Sequence, residues 1–458
     1  MKVTVIGTGY VGLTTGITLG FLGHEVTCVD VDENKINRLQ GGSLPIHEPL
    51  LDQLLTAARE NMAFTTSYEE AVREADVIFF AVGTPANEDG SPNLSYLFCA
   101  LDDTIRFITE KETPTVLVNK STVPVGTGDQ MQEQIRSAGL EGRVTVVSNP
   151  EFLRQGRAVK DTLYPDRIVV GGDEHGVRTL RQLYFPILDQ SFLAPKGAPR
   201  PQSFAGVAFL TVDRRSAELA KYAANAFLAM KVSFINEIAN VCDGVGASVE
   251  HVADIIGTDP RIGAAFLQAG IGYGGSCFPK DTQALQYIAG TSGYDFKLLS
   301  SVIEVNNEQK FRMLHKLQEE LNDLRGRKIT VLGLTFKPGT DDLREAPSLP
   351  IIARLLELGA EVHAHDPIAV EKARQALPME VQLHEDLYEA LYQAEGALLV
   401  TEWPVYAKLK AAFLLSAMKN PLLIDGRNAL AEEERQLLDY RGIGLGEQAV
   451  RRWQHELV

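Results

Sequence analysis

Lys2-Val3-Thr4-Val5-Ile6-Gly7-Thr8-Gly9-Tyr10-Val11-Gly12 opens the chain. A short apolar run reads as a strand, Gly7-Thr8-Gly9 as a turn, and an apolar-periodic helix follows from about Val11 to Gly23. Glu25–Val29 is a second strand that runs into Asp30. Glycine at the first position permits the tight turn, at the second it lets backbone approach a pyrophosphate, and at the third it lets helix pack closely on strand. The helix N-terminus then faces phosphates, and an acid at the end of the second strand accepts from a ribose hydroxyl. Asp rather than Arg at that strand end favours NAD over NADP.

The alternation continues outward. Val77–Val82, Thr115–Val118, Val144–Ser148 and Arg167–Val170 are β-like runs, with helical stretches such as Ser67–Glu74 and Gly126–Ala138 between them. This pattern predicts parallel strands covered by helices on both faces. Ala194–Pro201 holds three prolines and a glycine and reads as a linker. Asp213 caps a long helix predicted to reach about Cys242 and to end at Gly244 and Gly246. A helix of that length spans about 45 Å, enough to bridge domains or build a dimer seam.

The opening motif then recurs in weaker form. Lys328-Ile329-Thr330-Val331-Leu332-Gly333 resembles Lys2–Gly7, and Gly359–Asp366 resembles Gly23–Asp30. The second copy has Thr335 where the first has Gly9, so it is a poor dinucleotide cradle; Lys337 and Arg344 in its inserted segment suit a different phosphate ligand or a solvated loop equally well. The expected fold is therefore α/β, two Rossmann-like doubly wound domains joined by a long central helix. Its expected divisions are 1–200 (dinucleotide binding), 201–315 (central, helical) and 316–458 (Rossmann-like).

Composition bounds the function. Of 458 residues, 44 are basic and 60 acidic, a net charge of −16, which argues against nucleic acid as partner. No apolar run approaches the ~20 residues of a membrane helix, and the opening strand leaves no room for a signal peptide. The four cysteines Cys28, Cys99, Cys242 and Cys277 form no close pair, so a reducing, cytoplasmic setting is expected. His363 and His365 share one strand face without a third ligand, and no metal is expected.

Chemistry concentrates elsewhere. Gly274-Gly275-Ser276-Cys277-Phe278-Pro279-Lys280-Asp281 flanks a thiol with glycines and charges, which leaves it accessible and favours its thiolate. The other three cysteines sit in apolar stretches, as small buried hydrophobes do. Lys221 and Asn225 share a helix face whose neighbours are apolar, and a buried lysine needs a partner or a task. Thr122 and Glu151 lie in loops after strands, where open α/β sheets bind ligands, although single residues there also serve as caps.

Together these motifs resemble the UDP-glucose/GDP-mannose dehydrogenase family over nearly the whole chain. The resemblance rests on Gly7–Gly12, Val82–Pro85, Lys120–Pro124, Asn149–Leu153, Lys221–Asn225, Arg261–Gly263, Gly274–Asp281, Thr335–Pro338 and Asp425–Arg427. It implies NAD-dependent oxidation of a nucleotide-sugar C6 alcohol to a carboxylate, with UDP-glucose favoured over GDP-mannose and the UDP-N-acetylhexosamines. It implies Cys277 as nucleophile, forming a thiohemiacetal and then a thioester. Lys221 and Asn225 would stabilise oxyanions, Asp281 and Thr122 would hold a water, and Glu151 would serve as hydrolytic base.

Cofactor contacts are implied for Gly7, Gly9, Tyr10, Val11, Gly12, Asp30, Lys35, Thr84, Thr122 and Lys280. Substrate contacts are implied for Glu151, Phe152, Leu153, Lys221, Asn225, Tyr273, Gly274, Phe336, Lys337 and Arg427, and for Arg261 from a neighbouring subunit of a homodimer or larger homo-oligomer. The chain departs from the family at Gln155, often Glu, and at Leu50 in Glu48-Pro49-Leu50-Leu51, where the family has Gly. A binding-only sensor or a simple hydroxyacid dehydrogenase would not need Cys277, Lys221, Asp281 and Glu151 together.

Overall fold

A computed structural model describes residues 1–446 apart from 88, 110 and 112; the last twelve residues of the 316–458 division lie outside the described residues. Internal contacts divide the chain into two compact units, Met1–Ala224 and Asn225 onward.

The first unit holds eight strands: β1 (Lys2–Ile6), β2 (Glu25–Val29), β3 (Met62–Thr65), β4 (Val77–Phe80), β5 (Thr115–Asn119), β6 (Val144–Ser148), β7 (Arg167–Gly171) and β8 (Ala208–Val212). Their order is β3-β2-β1-β4-β5-β6-β7-β8. Pairing is parallel except at β6–β7, which meet antiparallel through Ser148 and Gly171. Every residue of β4, β5 and β6 is buried, because helices cover both faces. One core packs Val3, Val5, Leu13 and Ile17 on one side of the sheet; the other packs Ile6, Ile78, Phe80 and Leu101 on the opposite side. The strand order reverses between β1 and β4, the point where such sheets bind ligands.

The second unit repeats the plan with β9 (Lys328–Leu332), β10 (Glu361–His365), β11 (Gln382–His384), β12 (Gly396–Leu399), β13 (Leu422–Asp425) and β14 (Asp439–Gly442). The order is β11-β10-β9-β12-β13-β14, all parallel. The repeat extends to single hydrogen bonds: Gly7 N donates to Val29 O at 2.8 Å, and Gly333 N to His365 O at 2.9 Å.

The long helix runs Arg214–Val245. Asp213 caps it, accepting from Ser216 N at 2.8 Å. It passes through Gly244, expected to be a stop, and ends before Gly246 at φ +75°. The proline-rich stretch is packed rather than loose: Ala198 is fully buried, and its carbonyl accepts from the Tyr164 hydroxyl at 2.8 Å. β8, unforeseen from sequence, then extends the first sheet by pairing with β7. Among the described residues no helix is long and apolar enough to cross a membrane.

Candidate functional site

In the first unit the glycine turn is fixed by close contacts. Gly7 has φ +99°, and a Cβ there would sit 2.7 Å from Ala81 O. A Cβ on Gly12 would sit 1.9 Å from Gly7 O, whereas one on Gly9 meets nothing within 4 Å. Two glycines thus serve the fold, and the third leaves open space over the N-terminus of the helix Tyr10–Phe21, which has no side-chain cap. That open cradle fits a dinucleotide pyrophosphate.

Asp30 stands at the end of β2. Its carboxylate accepts from Thr8 N at 2.8 Å, Thr8 Oγ1 at 2.6 Å and Asp32 N at 3.1 Å, with Lys35 Nζ 3.6 Å away. Burial pushes this carboxyl up, but those donors and Lys35 outweigh it and hold it below its ordinary value. A carboxylate offers about four acceptor positions, so a ribose hydroxyl can still be taken. In the second copy Asp366 makes the matching bond, accepting from Leu334 N at 2.8 Å, but it is 2% exposed and also accepts from Trp403 Nε1 at 3.2 Å.

Tyr10, implied as a cofactor contact, has another engagement. Its hydroxyl donates to Glu48 and accepts from Gly156 N at 2.8 Å. Glu48 also accepts from Gly156 N and Ala158 N, both at 2.7 Å. The pair therefore ties the dinucleotide turn to the end of the loop that carries Glu151. Leu50, where the family has Gly, adopts φ +72°. Such a left-handed turn costs a branched residue about 1–2 kcal/mol.

Lys221 and Glu151 meet: Nζ lies 2.8 Å from Oε1, and both side chains are buried. Leu153 N donates to the other carboxylate oxygen at 2.5 Å. Burial alone would raise the Glu151 carboxyl; the Lys221 ammonium, then the Leu153 amide and Lys120, hold it below the ordinary glutamate value. The Phe152 ring lies under the Arg167 guanidinium at 3.9 Å, with Lys221 Nζ at 5.6 Å. Thr122 and Lys221 line one small recess, and Thr122 O accepts from Thr84 Oγ1 at 2.8 Å. Sequence reasoning missed Glu218, three residues before Lys221 on the same helix. It accepts from Gly126 N at 2.7 Å, Gly128 N at 2.8 Å and Ser148 Oγ at 2.8 Å, and so pins the loop that carries Thr122. Its spacing from Lys221 was the available signal.

In the second unit Asn225 Nδ2 donates to Asp281 Oδ2 at 2.6 Å, and Lys280 Nζ to Oδ1 at 2.8 Å. Asp281 is 1% exposed. The Lys280 charge, expected to favour the Cys277 thiolate, is thus directed at Asp281. Cys277, half-buried, is the N-cap of the helix Phe278–Thr291, with Ser276 Oγ 3.8 Å from Sγ.

The glycines before Cys277 are there for contact. A Cβ on Gly274 would sit 2.1 Å from Glu345 O; one on Gly275, at φ +84°, would sit 2.6 Å from the Phe336 ring. Gly275 N donates to Arg344 O at 3.0 Å. The Arg344 guanidinium is forked on Asp342 at 2.9 and 2.6 Å, and the Cys277 charge adds to the pull of Asp342 in raising its pKa. Lys337 Nζ lies 5.2 Å from the centre of the Phe336 ring. Tyr273 packs edge-on against Phe278 at 5.5 Å and is held by Asn306. Arg427 donates to Val400 O and Gly272 O, both at 2.9 Å, so much of its donor set is spent on backbone. Tyr273, Gly274, Cys277, Phe336 and Lys337 are thus brought together, and Arg427 reaches the same turn. Arg261 is separate, its exposed guanidinium folded on Asp259 at 2.5 Å.

A glycine-forced turn, an uncapped helix start and a strand-end aspartate define an NAD-dependent oxidoreductase of the doubly wound class, here with a glycine-framed cysteine. The chain belongs to the UDP-glucose/GDP-mannose dehydrogenase family. Residues 1–188 match its NAD binding domain, 215–308 its central domain and 330–432 its UDP binding domain. It is 45% identical to UDP-glucose 6-dehydrogenase YwqF of Bacillus subtilis over 98% of each chain. It is 44% identical to UDP-glucose 6-dehydrogenase of Rhizobium meliloti over 97% of this chain and 99% of the other. A UDP-glucose dehydrogenase structure from the archaeon Pyrobaculum islandicum superposes with a TM-score of 0.87 at 37% identity, covering 96% of this chain and 97% of that one.

Proposed function

We propose that the protein oxidises UDP-glucose to UDP-glucuronate. The observation that carries this reading is Cys277 at a helix start, with Phe336 and Arg344 held against Gly275 and Lys337 beside the Phe336 ring; the named relatives point the same way. Overall, alcohol, two NAD and one water give carboxylate, two NADH and three protons. Gly7, Gly9, Gly12 and Asp30 would hold NAD, which would supply the acceptor for each of the two hydrides.

Asp281 and Thr122 hold the water that takes the alcohol proton as the first hydride leaves C6. The Cys277 thiolate then bonds to the aldehyde carbon, and the carbonyl electron pair moves to oxygen, where Lys221 and Asn225 stabilise it. Loss of the second hydride gives a thioester. Water, giving a proton to Glu151, bonds to the carbonyl carbon, and the C–S pair returns to Sγ. Phe336, Lys337 and Arg427 hold the UDP-sugar, with Phe152, Leu153, Tyr273 and Gly274 around it. The division at 1–200, 201–315 and 316–458 follows from these roles: cofactor, nucleophile and nucleotide sugar. The protein works as a homodimer, which is supported by Phe227, Phe234 and Val241 exposed at seven-residue spacing on the long helix. Arg261 serves the partner's substrate.

The test is NADH formed from limiting UDP-glucose run to completion. Two NADH per sugar support the double oxidation. One NADH overturns the thioester step, and none redirects the assay to GDP-mannose and UDP-N-acetylhexosamines.

A further inference from the structure

A cavity of about 110 Å³ lies in the first unit, lined by buried Glu151 and by solvent-exposed Asp166. That volume holds several waters. Lys120 also lines it and is 9% exposed. Its Nζ has three donors, yet its one hydrogen bond among the described residues goes to Asn149 Oδ1, at 3.1 Å. Among those residues no carboxylate lies within ion-pair distance of it. Tyr184 donates to the same Asn149 oxygen at 2.7 Å, and Asn149 Nδ2 donates to Val169 O at 2.7 Å, so the anchor is rigid. Independently, Thr15 lines the cavity with a buried hydroxyl that has no partner among the described residues. Buried polar groups left unmet in a space this size call for water.

We propose that this cavity is the water-filled exit for the proton that Glu151 accepts, and that Lys120 is the positioning residue that orders its water. The proposal rests on Glu151 acting as the hydrolytic base. The water that cleaves the thioester gives its oxygen to the carbonyl carbon and a proton to Glu151, and the C–S electron pair returns to Sγ. The proton then leaves Glu151 along hydrogen-bonded water towards Asp166, restoring the carboxylate. Burial draws the Lys120 ammonium down to about 8, Glu151 opposing this and Lys221 adding to it. Tyr184, Arg154, Asp161, Asp166 and Arg167 are further titratable groups of the lining. Raising the pH through about 8 therefore removes the charge that orients the water.

The experiment follows the acyl adduct on Cys277 by mass after acid quench of a single turnover, with NAD in excess and pH varied. In Lys120→Met the adduct should decay about tenfold more slowly, a modest share of what acid–base partners contribute. The wild type should lose rate above pH about 8, as set by the buried lysine. That alkaline loss should be absent in Lys120→Met, and in Lys120→Arg the rate should return without it. Thr15→Val, which keeps Lys120, should slow decay about twofold and raise the solvent deuterium isotope effect, the cost of one lost water contact; it carries the test should Lys120→Met not fold. An adduct that persists in Glu151→Gln but decays normally in Lys120→Met and Thr15→Val overturns this proposal alone. No adduct in any variant, with turnover retained, overturns the thioester reading and this proposal together.

Discussion

Lys221 Nζ stands 2.8 Å from Glu151 Oε1, with the two side chains 4% and 7% exposed. Two such charges are tolerated inside a protein only because each answers the other. Lys221→Met should therefore cost about 3–5 kcal/mol of stability, since it strands a buried carboxylate. The double variant Lys221→Met/Glu151→Gln should recover most of it. Denaturant titration of the four proteins measures the coupling. The Glu151 carboxyl is held below its ordinary value in the folded state. Its contribution is thus full above the unfolded glutamate value and is lost as pH falls through the folded one.

The glycine turn separates fold from binding. Gly9 has φ −77° and ψ −169°, and a Cβ there touches nothing. Gly9→Ala should keep stability within about 0.5 kcal/mol while NAD affinity falls about tenfold or more. Gly12→Ala drives a Cβ to 1.9 Å from Gly7 O and should lose about 3 kcal/mol or fail to fold. Thermal melts beside calorimetric NAD titration distinguish the two, and equal stability losses would contradict the assignment.

Cys277 is half-buried and caps a helix rather than filling a core. Cys277→Ala should bind NAD as the wild type does and lower acid formation at least about a thousandfold, as removal of a nucleophile does. Retained turnover, or lost NAD binding, would sink the role given to it.

His363 stacks on His384, with ring nitrogens 2.8 Å apart. Burial, then Lys328 and His384, hold its imidazole down to about 4. Its unfolded value is about 6.5, so the unfolded chain binds more protons between these limits. Stability should fall as pH drops from about 6.5 towards 4, by up to about 2 kcal/mol after solvent screening. His363→Gln should flatten that part of the melting-temperature profile.

Local pattern was enough for much of this. Strand, turn and helix at Lys2–Gly12 follow from apolar runs and glycines, and their weaker recurrence at Lys328–Gly333 was visible for the same reason. Cys277 stood out because its flanks are glycines and charges where buried cysteines have apolar ones. What was missed depends on partners distant in sequence. β8 forms because Ala208–Val212, a short run read from sequence as neither strand nor helix, finds β7. Glu48, Glu218 and Asn149 were given no role of their own, yet each satisfies donors from loops that chain order keeps apart.

The sequence by itself determined the periodicities, the glycine positions and the set of reactive side chains, because these are local properties of backbone sterics and residue chemistry. The tertiary structure decided which charges meet. Lys280 is directed at Asp281, Lys221 at Glu151, and Tyr10 at Glu48. Electrostatic partners are chosen by distance and burial, and both exist only once the chain has closed on itself.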